Sequence, residues 1–373
     1  MKTIVPRQQL QECLSAVATL IGGRTTKPIL SCVKLTAGGD EVSLEATDSE
    51  TSLRLATPAL SVARVGSVVA PAERLLSIVR EMSDVELQLE SDERHLTIRG
   101  EGNEFRIFTA AEADFPPIAA LAEEPDLAVA GRLLKRMIHL TLYAAAREMS
   151  RYAINGVQWE KRGKRLFMIA TDGRRLARAG GDVLESRAAD FEAIVPTKAL
   201  AVLEKVFTPP RDDEDWSIEL KVLPNQILIR SGDRTLSTVL VEGQFPKYQE
   251  VIPISNDKVV RLDREEFFGA VRRAALLTTD DARAVRLSFQ ADRLVITSQS
   301  PERGDARVQM GVEYGGPPIE IGFNPAFLSD ALARMTDCRI VEIELLDNFK
   351  PGVLSGGDKD EFLYVVMPVS LSG

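Results

Sequence analysis

With 373 residues the chain is too long for one hydrophobic core and divides, at about 100–200 residues per domain, into about two to four domains. Its 45% hydrophobic and 27% charged residues form a globular balance, and no apolar run nears the ~18 residues of a membrane helix, so fibrous, disordered and helical membrane classes are excluded. A net charge of −9, from 46 basic and 55 acidic residues, excludes a protein that coats DNA with its whole surface and confines any phosphate contact to a local patch. Three scattered cysteines, Cys13, Cys32 and Cys338, and two histidines, His95 and His139, cannot supply a four-ligand zinc site or a Cys-x-x-Cys pair, so no metal or other cofactor is expected. The opening MKTIVPRQQL has no apolar leader, and together with the unpaired cysteines this points to the reducing cytoplasm.

In chain order, the first helix shows an apolar stripe at Leu10, Leu14 and Val17. Alternating strands follow, for instance over 42–45, then a helix behind Pro71, a strand over 85–89 and a proline at 116. The order repeats: a helix with Leu133, Met137 and Ile138, strands, a helix behind Pro196, a hairpin turning at Ser231-Gly232-Asp233, and Pro246. It repeats again with Phe267, Phe268 and Val271, a helix at Pro325, and Pro368. LEATDSETSLRL (44–55) aligns with MIATDGRRLARA (168–179) and, more weakly, with VITSQSPERGDARV (295–308), which places Thr47, Thr171 and Thr297 at spacings of 124 and 126. Pro71, Pro196 and Pro325 are 125 and 129 apart, and Pro116, Pro246 and Pro368 are 130 and 122 apart. Three markers at one period imply three copies of an α+β unit with two helices to about eight strands, joined by linkers near 116–125 and 251–258.

Basic residues gather on the helix faces opposite the stripes. Arg132, Lys135, Arg136 and His139 fall at i, i+3, i+4 and i+7, with Arg147 and Arg151 just beyond. Lys198, Ala201 and Lys205 share another face, the third unit offers Arg264, Arg272 and Arg273, and the first offers Arg7, Gln8, Gln11 and Ser15, then Arg24, Arg74 and Arg80. A solvated surface would account for any one of these helices alone. Their recurrence in an acidic chain predicts a positive track that touches phosphates loosely and reads no bases. Other chemistry is weak: Thr171-Asp172-Gly173 reads as a turn, the acidic run at 211–215 as a solvated loop, and no phosphate-binding loop or nucleophile–base pair is present, so an enzyme is not expected.

GGRTTKPILS (22–31), SRYAINGVQWE (150–160), ATDGRRLA (170–177), EGQFPKYQEVIP (242–253), IGFNPAFL (321–328) and YVVMPVSL (364–371) occur in this order. In carrying them the chain resembles, over essentially its whole length, the bacterial β sliding clamps, the processivity subunits of the DNA polymerase III holoenzyme. The resemblance implies three clamp-type domains, over 1–121, 126–251 and 256–373, each with two helices on antiparallel sheets. It further implies a head-to-tail homodimer closing a ring around double-stranded DNA, with Phe105 and Ile107 opposite Leu276 and Leu277 of the second chain. Arg24 matches a DNA-contact position of the family, and with the helix faces the expected DNA set is Arg24, Arg80, Arg132, Lys135, Arg136, Arg147, Arg151, Lys198, Lys205 and Arg272.

By the same resemblance, a cleft between the second and third domains takes short linear motifs of polymerase, clamp loader and repair proteins. Ile154, Thr171, Gly173, Arg175, Leu176, Pro246, Val251, Val365, Met367, Pro368 and Leu371 match its positions, while Arg174 and Val369 are variants there. Departures from the family pattern are Glu250 and Ser370 at positions often basic in the cleft, Glu73 at one often basic in the hole, and Glu148 beside Arg147. On the residues alone, a three-repeat protein scaffold that does not bind DNA stays open, as does a diverged clamp that no longer loads.

Overall fold

A computed structural model describes residues 1–23, 25–118, 124–148, 152–209, 215–279 and 284–370. The helices are α1 (Arg7–Ile21), α2 (Ala72–Glu81), α3 (Gly131–Thr141), α4 (Thr197–Val206), α5 (Arg264–Ala275) and α6 (Pro325–Leu332), with antiparallel strands between them. α1 buries Leu10, Leu14, Val17 and Leu20, as its spacing predicts. In α3 the buried residue is Leu134 and not the expected Leu133. At about 100° per residue Leu134 lies within about 60° of both Met137 and Ile138, whereas Leu133 is about 140° from Ile138. In α5 the stripe is Phe267, Ala270, Val271 and Ala274, which leaves Phe268 half-buried.

The chain forms two compact units: residues Met1–Leu134, Val183–Ala188 and Lys198–Leu240, and residues Lys135–Asp182, Ala189–Thr197 and Val241–Gly373. The first holds a five-stranded sheet in the order Ser61–Arg64, Lys2–Pro6, Glu86–Ser91, His95–Gly100, Asn103–Phe108. It also holds a nine-stranded sheet in which Ser217–Val222, Gln226–Ser231 and Arg234–Val239 run on into Thr51–Pro58, Glu41–Thr47, Cys32–Gly38 and Gly66–Pro71. The second unit holds an eight-stranded sheet, Phe191–Pro196, Gly156–Arg162, Arg165–Thr171, Arg175–Asp182, Phe362–Val366, Gly352–Ser355, Ile340–Leu345 and Lys258–Asp263. Its four-stranded sheet runs Gly304–Gly311, Arg293–Ser300, Val285–Gln290, Ile319–Phe323.

Within these sheets one joint is built twice. In the first unit the strand that follows the Thr47-Asp48 turn pairs with Arg234–Val239, the last strand of the next repeat, with Leu53 opposite Leu236. In the second unit the strand that follows the Thr171-Asp172 turn pairs with Phe362–Val366, again the last strand of the next repeat, with Ala177 opposite Tyr364. Leu236 and Tyr364 are both fully buried there. The third strand of this kind, Gly304–Gly311, ends its sheet, and so does Asn103–Phe108, the last strand of the first repeat. On Asn103–Phe108, Ile107 is 5% exposed and packs within its own chain, whereas Phe105 on the same strand face stays 38% exposed.

The two Thr-Asp turns superimpose in their hydrogen bonds. Thr47 Oγ1 donates to the Thr51 carbonyl at 3.0 Å and Thr171 Oγ1 to the Arg175 carbonyl at 2.6 Å. Asp48 Oδ1 accepts from the N–H groups of Glu50 and Thr51, and Asp172 Oδ1 from those of Arg174 and Arg175. The left-handed position of the turn is Ser49, with φ 83°, in one copy and Gly173, with φ 84°, in the other. A side chain there costs about 1 kcal/mol that glycine does not incur. Ser49→Gly is therefore expected to stabilise the protein by about 0.5–1 kcal/mol and Gly173→Ser to destabilise it by about 1 kcal/mol. Urea denaturation midpoints of the two variants read out both signs.

Candidate functional site

The joint of the second unit sets Leu176 opposite Val365, and with Ile169, Tyr248, Val353 and Leu363 they form an apolar floor, flanked by Phe167, Phe245 and Ile252. Over this floor opens a groove of about 190 Å3. Ten of the predicted cleft residues line it: Ile154, Thr171, Gly173, Arg174, Arg175, Leu176, Pro246, Val251, Val365 and Met367. Met367 hangs over the rim, 40% exposed, held by its N–H on the Arg174 carbonyl at 2.9 Å. Pro368 and Val369 are not among the lining residues, because the tail turns away and Val369 N–H donates to the Gly322 carbonyl at 2.9 Å. Leu371 lies outside the described residues. The sequence reading missed Tyr152, Lys247 and Tyr248, which also line the groove. All three sit inside SRYAINGVQWE and EGQFPKYQEVIP, where a tyrosine in a loop was the available signal.

Two polar assemblies hold the groove in shape. The Arg175 side chain, 10% exposed, donates to Asp172 Oδ2 at 3.0 Å, to Asp330 Oδ2 at 2.7 Å and to the Tyr143 carbonyl at 2.9 Å. Its guanidinium also lies 4.7 Å from the ring centre of Phe327 and 5.4 Å from that of Tyr143. Burial alone would lower its pKa, but the hydrogen bond to Asp330 and the charge of Asp172 outweigh that and raise it, so it stays a cation at every working pH. On the other side Tyr248 presents its ring to the groove while its hydroxyl donates to Glu160 Oε2 at 3.0 Å. Glu160 is 4% exposed, and its other oxygen accepts from Gln158 Nε2 at 2.8 Å. Burial, and then the Glu160 charge, push the Tyr248 phenol up to about 12, so it stays protonated and keeps donating.

The predicted DNA-contact residues are distributed unevenly. Arg24 and Arg151 lie outside the described residues. Arg80, Arg132, Arg147, Lys198, Lys205 and Arg272 are exposed, and Lys135 is half-exposed. Lys205 borders a depression of about 550 Å3 shared with Gln9, Glu12, Ser15 and Thr19 of α1, so the two helices do present one surface within the first unit. Several cations have partners already. Arg136 donates to Asp337 at 3.2 Å and lies 3.6 Å from Glu361, Lys198 pairs with Asp48, and Arg80 reaches Ser15 Oγ at 3.3 Å. Arg7 and Arg264, placed on outer faces by the sequence reading, turn inward instead. Each caps backbone that its helix packs against: Arg7 Nε donates to the Asp84 carbonyl at 2.7 Å, and Arg264 Nη1 to the Leu332 carbonyl at 3.1 Å. Among the described residues no group of three or more His, Cys, Asp and Glu is placed to hold a metal ion, and no helix is long and apolar enough to cross a membrane.

Sequence profiles of the DNA polymerase III beta subunit match in three blocks: the N-terminal domain over residues 1–119, the central domain over 128–247 and the C-terminal domain over 249–370. The chain is 31% identical over 368 residues to a beta sliding clamp of Pseudomonas aeruginosa, covering 98% of this chain and 99% of that one. It is likewise 31% identical to one of Salmonella typhimurium, covering 100% of both. Among solved structures it is similar to a DnaN sliding clamp of Pseudomonas aeruginosa bound to griselimycin, with a TM-score of 0.92 at 30% identity over 100% of both chains. A Bacillus subtilis sliding clamp at 24% identity shares the fold with a TM-score of 0.93 over 99% of both chains.

Because Arg175 is nearly buried between two aspartates and two rings, its removal uncovers Asp330 and opens a gap beside the groove. Arg175→Ala is expected to cost about 2 kcal/mol of stability in urea denaturation, below the full buried-pair value because Asp330 is partly solvated. Arg175→Lys should recover less than half of that, since an ammonium cannot fork to both aspartates.

Proposed function

Because the chain belongs to the DNA polymerase III beta-subunit family, the bacterial sliding clamps, we propose that it encircles double-stranded DNA as a head-to-tail homodimer and tethers the replicative polymerase, and clamp-loader and repair proteins, through the groove at Met367. The reading is that of a non-catalytic processivity factor without a cofactor, acting on DNA in the cytoplasm through three clamp domains over about 1–121, 126–251 and 256–373.

The observation that carries the ring is the twice-built joint. Each joint satisfies the backbone of a strand that follows a Thr-Asp turn with the last strand of the next repeat. Three repeats in a row leave one strand of each kind over, and these are the two sheet-end strands Gly304–Gly311 and Asn103–Phe108. Unpaired edges of complementary type at opposite ends of the repeat order favour a heterologous contact that closes between two copies. The hairpin registers support this, since Asn103 opposite Gly100 corresponds to Arg234 opposite Ser231, which makes Phe105 the counterpart of the fully buried Leu236. Phe105 is thus half-open where both internal joints bury a large side chain. Leu276, 73% exposed at the end of α5, is the apolar neighbour available to cover it in the second chain.

The groove fits an extended peptide, with an apolar floor for two or three side chains and few polar groups at its rim. The exposed cations on α2, α3, α4 and α5 fit loose phosphate contact, and the chain's net charge of −9 fits a protein held on DNA by topology more than by attraction.

Two measurements test this reading. Joint replacement of Leu276 and Leu277 by Ala should convert dimers to monomers in sedimentation velocity, and an unchanged dimer would remove this contact from the proposal. Protein placed by a clamp loader on nicked circular DNA should stay through salt washes and leave when the circle is cut. Equilibrium binding to a short linear duplex should instead be weak, with a log–log salt slope near −0.9 per phosphate neutralised. Equal retention on cut and uncut DNA would refute encirclement.

A further inference from the structure

His95, one of the two histidines in the chain, stands beside the sheet-end strand Asn103–Phe108. It pairs with Phe108 across the hairpin, and its ring lies 5.0 Å from the Phe108 ring. His95 Nδ1 is 3.0 Å from Arg106 Nη2 and 3.4 Å from Asp92 Oδ1. A guanidinium only donates, so the contact with Arg106 requires an unprotonated Nδ1 that accepts. Arg106 Nη2 also donates to Asp92 Oδ2 at 3.0 Å, so this edge cation is seated on one carboxylate and one neutral imidazole. Hydrogen bonds from the Arg94 N–H, and then from the His95 N–H and Arg106, hold the Asp92 carboxyl down to about 2, so it stays an anion. The next charges on this sheet face are tied to one another, Lys2 to Glu90 at 3.3 Å and Arg99 to Glu90 at 2.8 Å and to Glu104 at 2.6 Å.

The two internal joints share one register. Ser52, opposite Thr47 in its hairpin, pairs with Ser237, and Leu176, opposite Thr171, pairs with Val365. Arg307 is opposite Thr297 in the third repeat, and Arg106 is the counterpart of Ser237, three residues past the place shared by Asn103 and Arg234. Carried to two copies of the chain, that register sets Arg106 against Arg307 of the second chain, and both are exposed in one chain alone. Asp305 and Gln309 of the second chain then fall on the diagonals, while Glu104 is already held by Arg99. We propose that His95 is an acid-operated switch on ring closure: neutral, it shares the seating of Arg106 with Asp92; protonated, it takes Asp92 and leaves Arg106 facing Arg307 of the second chain. The inference rests on the head-to-tail contact proposed above. A protonated Nδ1 cannot accept from Arg106, but it donates to Asp92 Oδ1, and like charges directly opposite on neighbouring strands repel. Closure is therefore favoured above the ordinary imidazole range of about pH 6.5 and weakened as pH falls through it.

The test measures the dimer dissociation constant of the full-length protein by sedimentation at about pH 8 and about pH 5.5, at one ionic strength. Acidification should weaken each contact about threefold, and because a closed ring makes the contact twice, the dissociation constant should rise about tenfold. Salt at about 0.5 M should shrink the difference. His95→Gln, whose amide oxygen still accepts from Arg106 but does not titrate, should hold the dimer equally at both pH values, and so should Arg307→Ala. His139→Gln, on the exposed face of α3, should keep the tenfold change. The Met1 amino group, on Ser91 Oγ at 3.0 Å and lowered in pKa by burial and then by Arg64, also gains a proton as pH falls, and every variant retains it. An unchanged dissociation constant in the unmodified protein overturns the switch, as does a pH effect that survives His95→Gln or Arg307→Ala or is lost with His139→Gln. Replacing Leu276 and Leu277 by Ala separates the two readings. If that breaks the dimer while pH has no effect, only the switch falls; if it leaves the dimer intact, the contact falls and the switch with it.

Discussion

A β-strand cannot leave a row of N–H and C=O groups unsatisfied except at an edge, and this chain meets that requirement twice by lending the last strands of the second and third repeats to the repeat before each. The Leu53–Leu236 and Ala177–Tyr364 pairs are the centres of the two ladders that result. Repeats joined this way share continuous sheets and cannot be cut apart at a linker. The boundary of the compact units accordingly runs inside the second repeat, through α3 and between Asp182 and Val183. The same rule that joins repeats within the chain leaves Gly304–Gly311 and Asn103–Phe108 at the ends of their sheets, and the proposed assembly of two copies would continue folding by the same interaction.

The groove is a by-product of one such joint. Its floor exists because Arg175–Asp182 and Phe362–Val366 lie side by side, and its rim exists because the chain beyond Val366 is caught by the Arg174 carbonyl before it turns toward Gly322. Arg175 occupies the crossing point, with one aspartate from its own turn and one from α6, between rings of Tyr143 and Phe327. A groove built on sheet register and on a buried, doubly paired guanidinium is shaped before any ligand arrives, which would lower the ordering entropy for the peptides proposed to bind there.

Charge serves two purposes in the molecule. Arg136 with Asp337 and Glu361, and Lys198 with Asp48, tie helices to neighbouring segments while also standing on faces that periodicity alone assigned to DNA. A helix wheel shows which residues leave the core but not whether an acid from a segment two hundred positions away, such as Asp337 for Arg136, is waiting there.

The sequence by itself determined the repeat, the α+β class and the proline-opened helices, because periodicity and turn chemistry are local and survive without coordinates, while the ten groove residues came only through the family resemblance that its short motifs carry. Stripe positions slipped where two adjacent leucines or phenylalanines competed, as at Leu133 and Leu134, since side-chain packing and not spacing chooses between neighbours. What only the tertiary structure decided was which strand pairs with which, that Ile107 is already covered while Phe105 is not, that Val369 leaves the groove, and that Tyr248 faces it with Glu160 behind. Each of these depends on partners far apart in the chain, and long-range backbone pairing has no signature in the residues on either side of it.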